Sequence, residues 1–257
     1  MKVSIERMNG MIIYFSATGN SKFVASQVAE ATDDNIISIT EITEKLHLQP
    51  GESLGIVIPT YFYWVPSNVQ EFLENLEIDC DENSYIYCIA TCGGTSGQAS
   101  QQVGRYLKKK GKYVNAYFDI VTPDNWTPMF DANNKDKIAK VIENEKPQLD
   151  KIISHIKNKE SGKFVKHTLP YVVAKFISLF YETSRKTSHL RVEDQCIGCG
   201  KCANECPVNA IDIKDGKPVW VKDKCAMCLG CLHKCPTFAI QYGRNTKKHG
   251  QYVRQLN

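Results

Sequence analysis

The sequence predicts an α/β protein: a doubly wound parallel sheet of five strands, followed by a smaller α+β unit. Two observations carry this. Over the first 158 residues, apolar runs of strand length alternate with stretches of helical periodicity, the order that builds a parallel sheet covered on both faces. Near the other end a twelve-residue cysteine pattern occurs twice, "CIGCGKCANECP" from Cys196 and "CAMCLGCLHKCP" from Cys225. Such a duplication marks one folding unit of loop, short helix and strand used twice.

The elements follow in order. "MIIYF" (11–15) is a continuous apolar run, and "SKFVASQVAEAT" (21–32) has helical spacing through Phe23, Val24, Val28 and Ala31. Further strands are expected at 35–39, 54–59, 85–90 and 113–121, with helices near 66–76, 97–110 and 134–158. In a sheet of this class a ligand sits beyond the carboxyl ends of the strands, where the strand order reverses. Between the cysteine runs, "AIDIKDGKPVWV" reads as two short strands around a Lys-Asp-Gly turn.

Bulk properties narrow the class. The chain has 257 residues, room for one ordinary domain and a small one, with 42% hydrophobic and 23% charged residues, as in a soluble globular protein. No apolar run approaches the ~18 residues of a membrane span. "LPYVVAKFISLFY" (169–181) is too short, carries Lys175, and reads as a packing helix. The opening "MKVSIERMNGMIIYF" is interrupted by Glu6 and Asn9 and is not expected to be a signal peptide. A cytoplasmic location is expected, where thiols stay reduced and clustered cysteines bind metals. The net charge of +4 is weak grounds for a nucleic-acid partner, and none is expected. "RNTKKHGQYVRQ" (244–255) and "SRKTSHLR" (184–191) read as solvated or counter-charging surface.

Eight of the eleven cysteines lie between residues 196 and 235. Cys80 and Cys88 read as small, partly buried side chains. Both runs have the form C-x2-C-x2-C-x3-C-P, the second beginning 29 residues after the first. A four-cysteine zinc site gives no reason for duplicating the run, and disulfides conflict with a reducing compartment. Three cysteines two residues apart can wrap one face of an iron–sulfur cube, while the fourth, followed by Pro at an expected helix start, points away. Gly198, Gly200 and Gly230 suit a loop with positive φ close to inorganic sulfide. Residues 190–242 resemble a bacterial-type two-cluster ferredoxin. The resemblance implies one [4Fe–4S] cluster on Cys196, Cys199, Cys202 and Cys235, and a second on Cys225, Cys228, Cys231 and Cys206. His233, inside the second loop, reads as a polar neighbour able to tune a cluster by bonding to sulfur.

At the other end, "SATGN" (16–20) joins the first strand to the first helix. Hydroxyls and free amides there make an anion site, aided by the helix dipole, although the same residues also serve as ordinary caps. It is neither a G-K-[ST] phosphate loop nor a G-x-G-x-x-G turn. With "TYFYWVPS" (60–67) and "TCGGTSG" (91–97), this loop resembles the flavodoxin FMN site, over about residues 11–158. The resemblance places Ser16, Thr18, Gly19, Asn20 and Ser21 on the phosphate. It places Thr60, Tyr61, Phe62, Trp64, Thr91, Cys92, Gly93 and Gly94 around the isoalloxazine ring, with stacking aromatics in one loop and bare backbone in the other. Tyr61, Phe62, Tyr63 and Trp64 also suit a core or a lid. Two departures stand out: the second loop is unusually aromatic, and the third lacks the acidic residues common there in carrier flavodoxins. "DNWTPMF" (124–130), beyond the last strand, suits equally a segment reaching the same site and a rigid surface loop.

As a whole the chain resembles the flavodoxin–ferredoxin fusion proteins of anaerobic prokaryotes. That implies a flavodoxin-like FMN domain (1–158), a helical connector (159–190) packing one domain on the other, and a ferredoxin domain with a C-terminal tail (191–257). The implied function is electron transfer between two [4Fe–4S] clusters and FMN, with redox proteins or a small-molecule acceptor as partners and no assigned catalytic residue. A carrier without its own substrate, and a redox sensor lacking FMN, stay open beside it.

Overall fold

The computed structural model describes residues 10–166 and 168–256, so most of the opening segment read against a signal peptide lies outside the described residues. Strand β1 (Gly10–Tyr14) leads through helix α1 (Asn20–Thr32) to β2 (Asn35–Ser38). There follow β3 (Leu46–His47), β4 (Ser53–Pro59), α2 (Ser67–Asn75), β5 (Ile78–Asp79), β6 (Ile86–Cys92), α3 (Ala99–Lys109), β7 (Ala116–Val121) and α4 (Lys135–Lys157). With β8 (Gly162–Lys163), strands β1, β2, β4, β6 and β7 form a parallel sheet ordered β2-β1-β4-β6-β7-β8, while β3 and β5 pair with each other apart from it. The sheet therefore has six strands, one more than expected. The sixth is two residues that pair with β7 as the chain leaves α4, with Phe164 N–H bonded to the Tyr117 carbonyl. A Gly-Lys pair has no strand signature of its own, so only the neighbouring edge makes it one.

Alternation along the strands divides the core in two. Ile13, Ile56, Ile58 and Cys88 pack under α2 and α3 through Val69, Leu73, Val103 and Leu107. Ile12, Val57, Ile89 and Phe118 face α1 and α4 through Val24, Val28, Leu149, Ile152 and Ile156. Strand order reverses between β1 and β4, because β2 lies outside β1. The loops after β1, β4, β6 and β7 gather at that end.

The chain continues through α5 (Tyr171–Ser184), β9 (Leu190–Val192), α6 (Lys201–Asn204), β10 (Ile211–Lys214), β11 (Lys217–Trp220), α7 (Gly230–His233), β12 (Ile240–Tyr242) and α8 (Thr246–His249). β10 and β11 form the expected hairpin, turning through Asp215 (φ 50°) and Gly216 (φ 72°). β12 closes antiparallel on β9. The two cysteine repeats fold alike, but two details differ from expectation. Pro207 and Pro236 open turns, and the helical turns α6 and α7 come before the fourth cysteine of each run. Gly230 starts α7 without positive φ; the left-handed positions matching Gly198 and Gly200 are Met227 and Leu229, both at φ 54°.

Helix α5 buries only a narrow face, Ala174, Ser178 and Tyr181. Tyr181 spans the two halves of the chain: its hydroxyl donates to the Ala226 carbonyl (2.6 Å) and accepts from Ser67 N–H (3.2 Å). The packing expected of this segment rests on that face alone, for Val172 is 77% and Phe176 64% exposed. Among the described residues no helix is long and apolar enough to cross a membrane.

Candidate functional site

The turn after β1 is held open by its own residues and by distant ones. Gly19 takes φ +103° and caps α1, and its N–H bonds to Ser16 Oγ (3.1 Å). Ser21 Oγ and Thr91 Oγ1 share a hydrogen bond (2.9 Å) that ties this loop to the end of β6. Asn20 donates through Nδ2 to the Pro123 carbonyl (2.9 Å), and Asn125 Nδ2 donates to Thr18 Oγ1 (2.7 Å). The loop thus surrounds the first amides of a 13-residue helix, where an anion is favoured.

A cavity of about 560 Å³, in the range of small-molecule sites, opens beside it. Ser16, Thr18, Asn20, Ser21, Thr60, Tyr61, Phe62, Thr91, Cys92, Gly93 and Gly94 all line it. Two residues named from the sequence do not. Gly19 lies against Arg254, and Trp64 is turned into the core against α5, its ring 5.6 Å from that of Tyr171 and 5.3 Å from Lys175 Nζ. Tyr63 lines the cavity in its place. The reason is a tight two-residue turn: Tyr61 and Trp64 exchange backbone hydrogen bonds of 3.0 Å, with Phe62 (φ 50°) and Tyr63 (φ 61°) both left-handed. This backbone is costly without glycine, about 1–3 kcal/mol per residue, and packing holds it. Phe62 stacks edge-on to Trp126 at 5.2 Å, and Tyr63 lies against Gly97, where a side chain would collide.

In the third loop, burial pushes the Cys92 thiol to about 12, and its Sγ points to the Ile120 carbonyl at 3.7 Å, so it is an unreactive wall. Gly94 faces open space, whereas Gly93 leaves room for the Asp124 carboxyl, which stands where a Cβ would go. Asp124, Asn125 and Trp126 all line the cavity. The "DNWTPMF" segment therefore reaches the site, and Asp124 supplies there the acidic group missing from the loop after β6. Burial raises the Asp124 carboxyl, partly offset by the Trp126 N–H it accepts. Two polar atoms of lining residues, Thr60 Oγ1 and Tyr61 Oη, are buried without a partner. Unpaired donors beside the aromatic rings of this loop fit a planar, polar-edged ligand such as a flavin.

The eight cysteines gather into two cages. Cys225, Cys228 and Cys231 line one with Cys206, and Cys196, Cys199 and Cys202 line the other with Cys235. Each takes three sulfurs from one repeat and the fourth from the other. Among the described residues no three His, Cys, Asp or Glu side chains converge on a point as ligands of a single ion would. Backbone N–H groups address the sulfurs, Ala210 to Cys206 (3.2 Å) and Ala239 to Cys235 (3.3 Å) in matching places of the two repeats, and Met227 to Cys225 (3.3 Å) in the second. Burial pushes Cys228 to about 12 and Cys231 well above the usual thiol value. Such thiols ionise only when a metal group compensates the charge, so the donor set fits iron–sulfur clusters.

His233 does not address sulfur, contrary to expectation. Its Nδ1 accepts from Tyr252 N–H (3.2 Å), so Nε2 carries the proton and donates to the Asn125 carbonyl (2.8 Å). The cage of Cys206 and the large cavity share a wall: Met227, Cys228 and Leu229 line both. Tyr61, Phe62 and Trp126 pack there against Tyr181, Met227 and Leu229. Within residues 244–255, expected to be solvated or counter-charging surface, Thr246, Tyr252 and Arg254 are buried.

Comparison with known proteins finds two family matches. Residues 11–151 match the flavodoxin domain, and residues 189–236 match a 4Fe-4S dicluster domain. Among solved structures, a flavoprotein of Bacteroides uniformis is 17% identical, over 46% of this chain and 94% of its own, with a TM-score of 0.35. A flavodoxin of Streptococcus pneumonia TIGR4 is 15% identical, over 58% and 98%, with a TM-score of 0.39. A flavone reductase is 9% identical, over 82% and 80%, with a TM-score of 0.32. No curated protein matches the chain. The two matched domains are those of flavin and iron–sulfur binding and give the chain a role in electron transfer. It belongs to the flavodoxin domain family and, with a 4Fe-4S dicluster domain following in the same chain, is a flavodoxin–ferredoxin fusion.

Proposed function

We propose that the protein transfers electrons between two [4Fe–4S] clusters and FMN, coupling low-potential one-electron donors to an acceptor that meets the flavin. The observation that carries this reading is the shared wall: Met227, Cys228 and Leu229 line the same cavity as residues 16–18, 20–21 and 91–95. When bound, each cluster supplies one-electron transfer and FMN one- or two-electron transfer.

The chain's own residues supply position and insulation. Ser16, Thr18, Gly19, Asn20 and Ser21 would hold the phosphate, and Thr60, Tyr61, Phe62, Thr91, Cys92, Gly93 and Gly94 the ring. Trp64 would act from behind, fixing the aromatic turn. Cys225, Cys228, Cys231 and Cys206 would hold the cluster beside the flavin. Cys196, Cys199, Cys202 and Cys235 would hold the outer one, whose exposed Cys199 and Ile197 make it the docking side for a donor protein. Tyr61, Phe62, Trp126 and Tyr181 keep water from the space between cage and cavity. On this reading residues 1–158 are the FMN domain, 159–190 the connector and 191–257 the ferredoxin domain with its tail.

Anaerobically purified protein, assayed for flavin and iron with spectra before and after dithionite, tests the proposal. About one flavin and eight irons per chain, all bleached on reduction, are expected. Clusters without flavin, even after incubation with FMN, would remove the flavin half.

A further inference from the structure

The segment after α8 leaves the cysteine module and returns to the loop after β1. Gln251 Nε2 donates to the carbonyls of Leu232 (2.7 Å) and Cys235 (2.9 Å), anchoring the segment to the second cysteine run. The next residues reach the phosphate loop. Tyr252 Oη donates to Asn20 Oδ1 (2.8 Å), and Arg254 N–H donates to the Thr18 carbonyl (2.7 Å). A side chain on Gly19 would stand 2.9 Å from Arg254 Cβ, so glycine there serves the close passage of the tail as well as its φ of +103°.

The Arg254 side chain is fixed on both sides. Its Nη1 donates to Glu145 Oε2 on α4 (2.7 Å), both groups buried, and its guanidinium lies 3.8 Å from the centre of the Phe23 ring in the first turn of α1. A buried ion pair adds little net stability over apolar side chains of the same volume, but it holds one geometry against others. Here the geometry held is that of residues 18–20. The Thr18 side chain is held by Asn125, whose carbonyl accepts from His233 in α7. The loop is thus gripped at side chain and backbone from the cysteine module.

We infer that Tyr252 and Arg254 form a strap belonging to the FMN site: they are positioning residues that hold the phosphate loop in its binding shape, so FMN affinity depends on a segment lying beyond the cysteine module. The inference rests on the FMN reading above. By linkage, bound FMN in turn steadies the tail and the second cysteine run.

The test uses the full chain with its clusters, stripped of flavin. FMN and riboflavin, which lacks the phosphate, are titrated by flavin fluorescence, with amide hydrogen exchange followed over residues 16–21. In Arg254→Ala and Tyr252→Phe, FMN dissociation constants should rise by about tenfold or more, riboflavin's by less than about threefold, with faster loop exchange and unchanged iron content. Arg254→Met with Glu145→Met replaces the pair by apolar groups and keeps the tail seated. It should bind FMN within about threefold of wild type. Unchanged FMN affinity and loop exchange in Arg254→Ala, or equal weakening of both flavins, would overturn the strap. A double variant as weak as Arg254→Ala would assign the effect to the Arg254 charge instead of its position, which also overturns it. A wild-type chain that takes up neither flavin overturns the FMN reading itself, and is told apart because that failure appears before any substitution is made.

Discussion

Gly93 and Gly94 are neighbours with the same sequence signature and different duties. A Cβ on Gly93 would meet the Asp124 carboxyl, whereas one on Gly94 would meet nothing within 4 Å. Gly93→Ala should cost about 1–3 kcal/mol by overpacking and weaken FMN binding, with Gly94→Ala near neutral for folding. Thermal melts and FMN titrations of the two variants check this. Asp124 itself is a compromise. Burial raises its folded pKa above the unfolded value, so the fold binds more protons than the unfolded chain between those two values. Its stability is therefore highest below the unfolded pKa and falls as pH rises through the folded pKa. Asp124→Asn keeps the acceptor for Trp126 N–H and removes the buried charge. It should raise the flavin-free melting temperature at pH 7, and raise the flavin midpoint potential by tens of millivolts on the order expected for one nearby charge. An unchanged potential would place the carboxylate outside the flavin's field. Both residues were visible in the sequence, but nothing local tells that the loop after β7 presses its acid against the loop after β6.

At the scale of elements, helix α5 shows why apolar content does not measure burial. Its sequence suits a helix buried on a broad face, yet only Ala174, Ser178 and Tyr181 are covered. Phe176→Ser should change stability by less than about 0.5 kcal/mol. Tyr181→Phe removes the donor to the Ala226 carbonyl and the acceptor for Ser67 N–H, at a cost of about 1–3 kcal/mol. Denaturant titration of the two variants measures the contrast, and equal costs would contradict the packing described. The strands and helices of the sheet were legible because their apolar runs are long and their periods distinct. β8, by contrast, is two residues made into a strand by the edge they pass. The helical turns α6 and α7 fall before the fourth cysteine because Pro207 and Pro236 turn the chain directly toward β10 and β12.

Across the whole molecule, the cysteine module has a small apolar core, Leu190, Met227, Leu229, Leu232 and Ile240 joined by Tyr181 of α5, leaning on Tyr61, Phe62 and Trp126 of the other half. A unit of this size depends on its metal groups for stability. Removing iron by oxidation and chelation should unfold residues near 190–242 and leave the sheet, whose two cores are built almost wholly without that segment, intact. Trp126 and Trp220 emission should then shift to the red while the far-ultraviolet signal of the sheet persists. Unshifted emission after complete iron loss would show a module that stands without clusters.

The sequence by itself determined the two domain types, the strand–turn–helix over residues 11–32, and the two cysteine runs, because each is written in residues close together along the chain. Spacing and periodicity are local quantities, and local quantities survive reading in one dimension. Only the tertiary structure decided that Met227, Cys228 and Leu229 wall the cavity, that Asp124 faces it, that Trp64 turns away, and that Tyr252 and Arg254 cross back to residues 18–20. Arg254 and Glu145 stand 109 residues apart, each resembling an ordinary surface charge. What buries them is the closure of one half of the chain on the other, a free energy spread over many contacts that leaves no mark on either residue's neighbours in sequence.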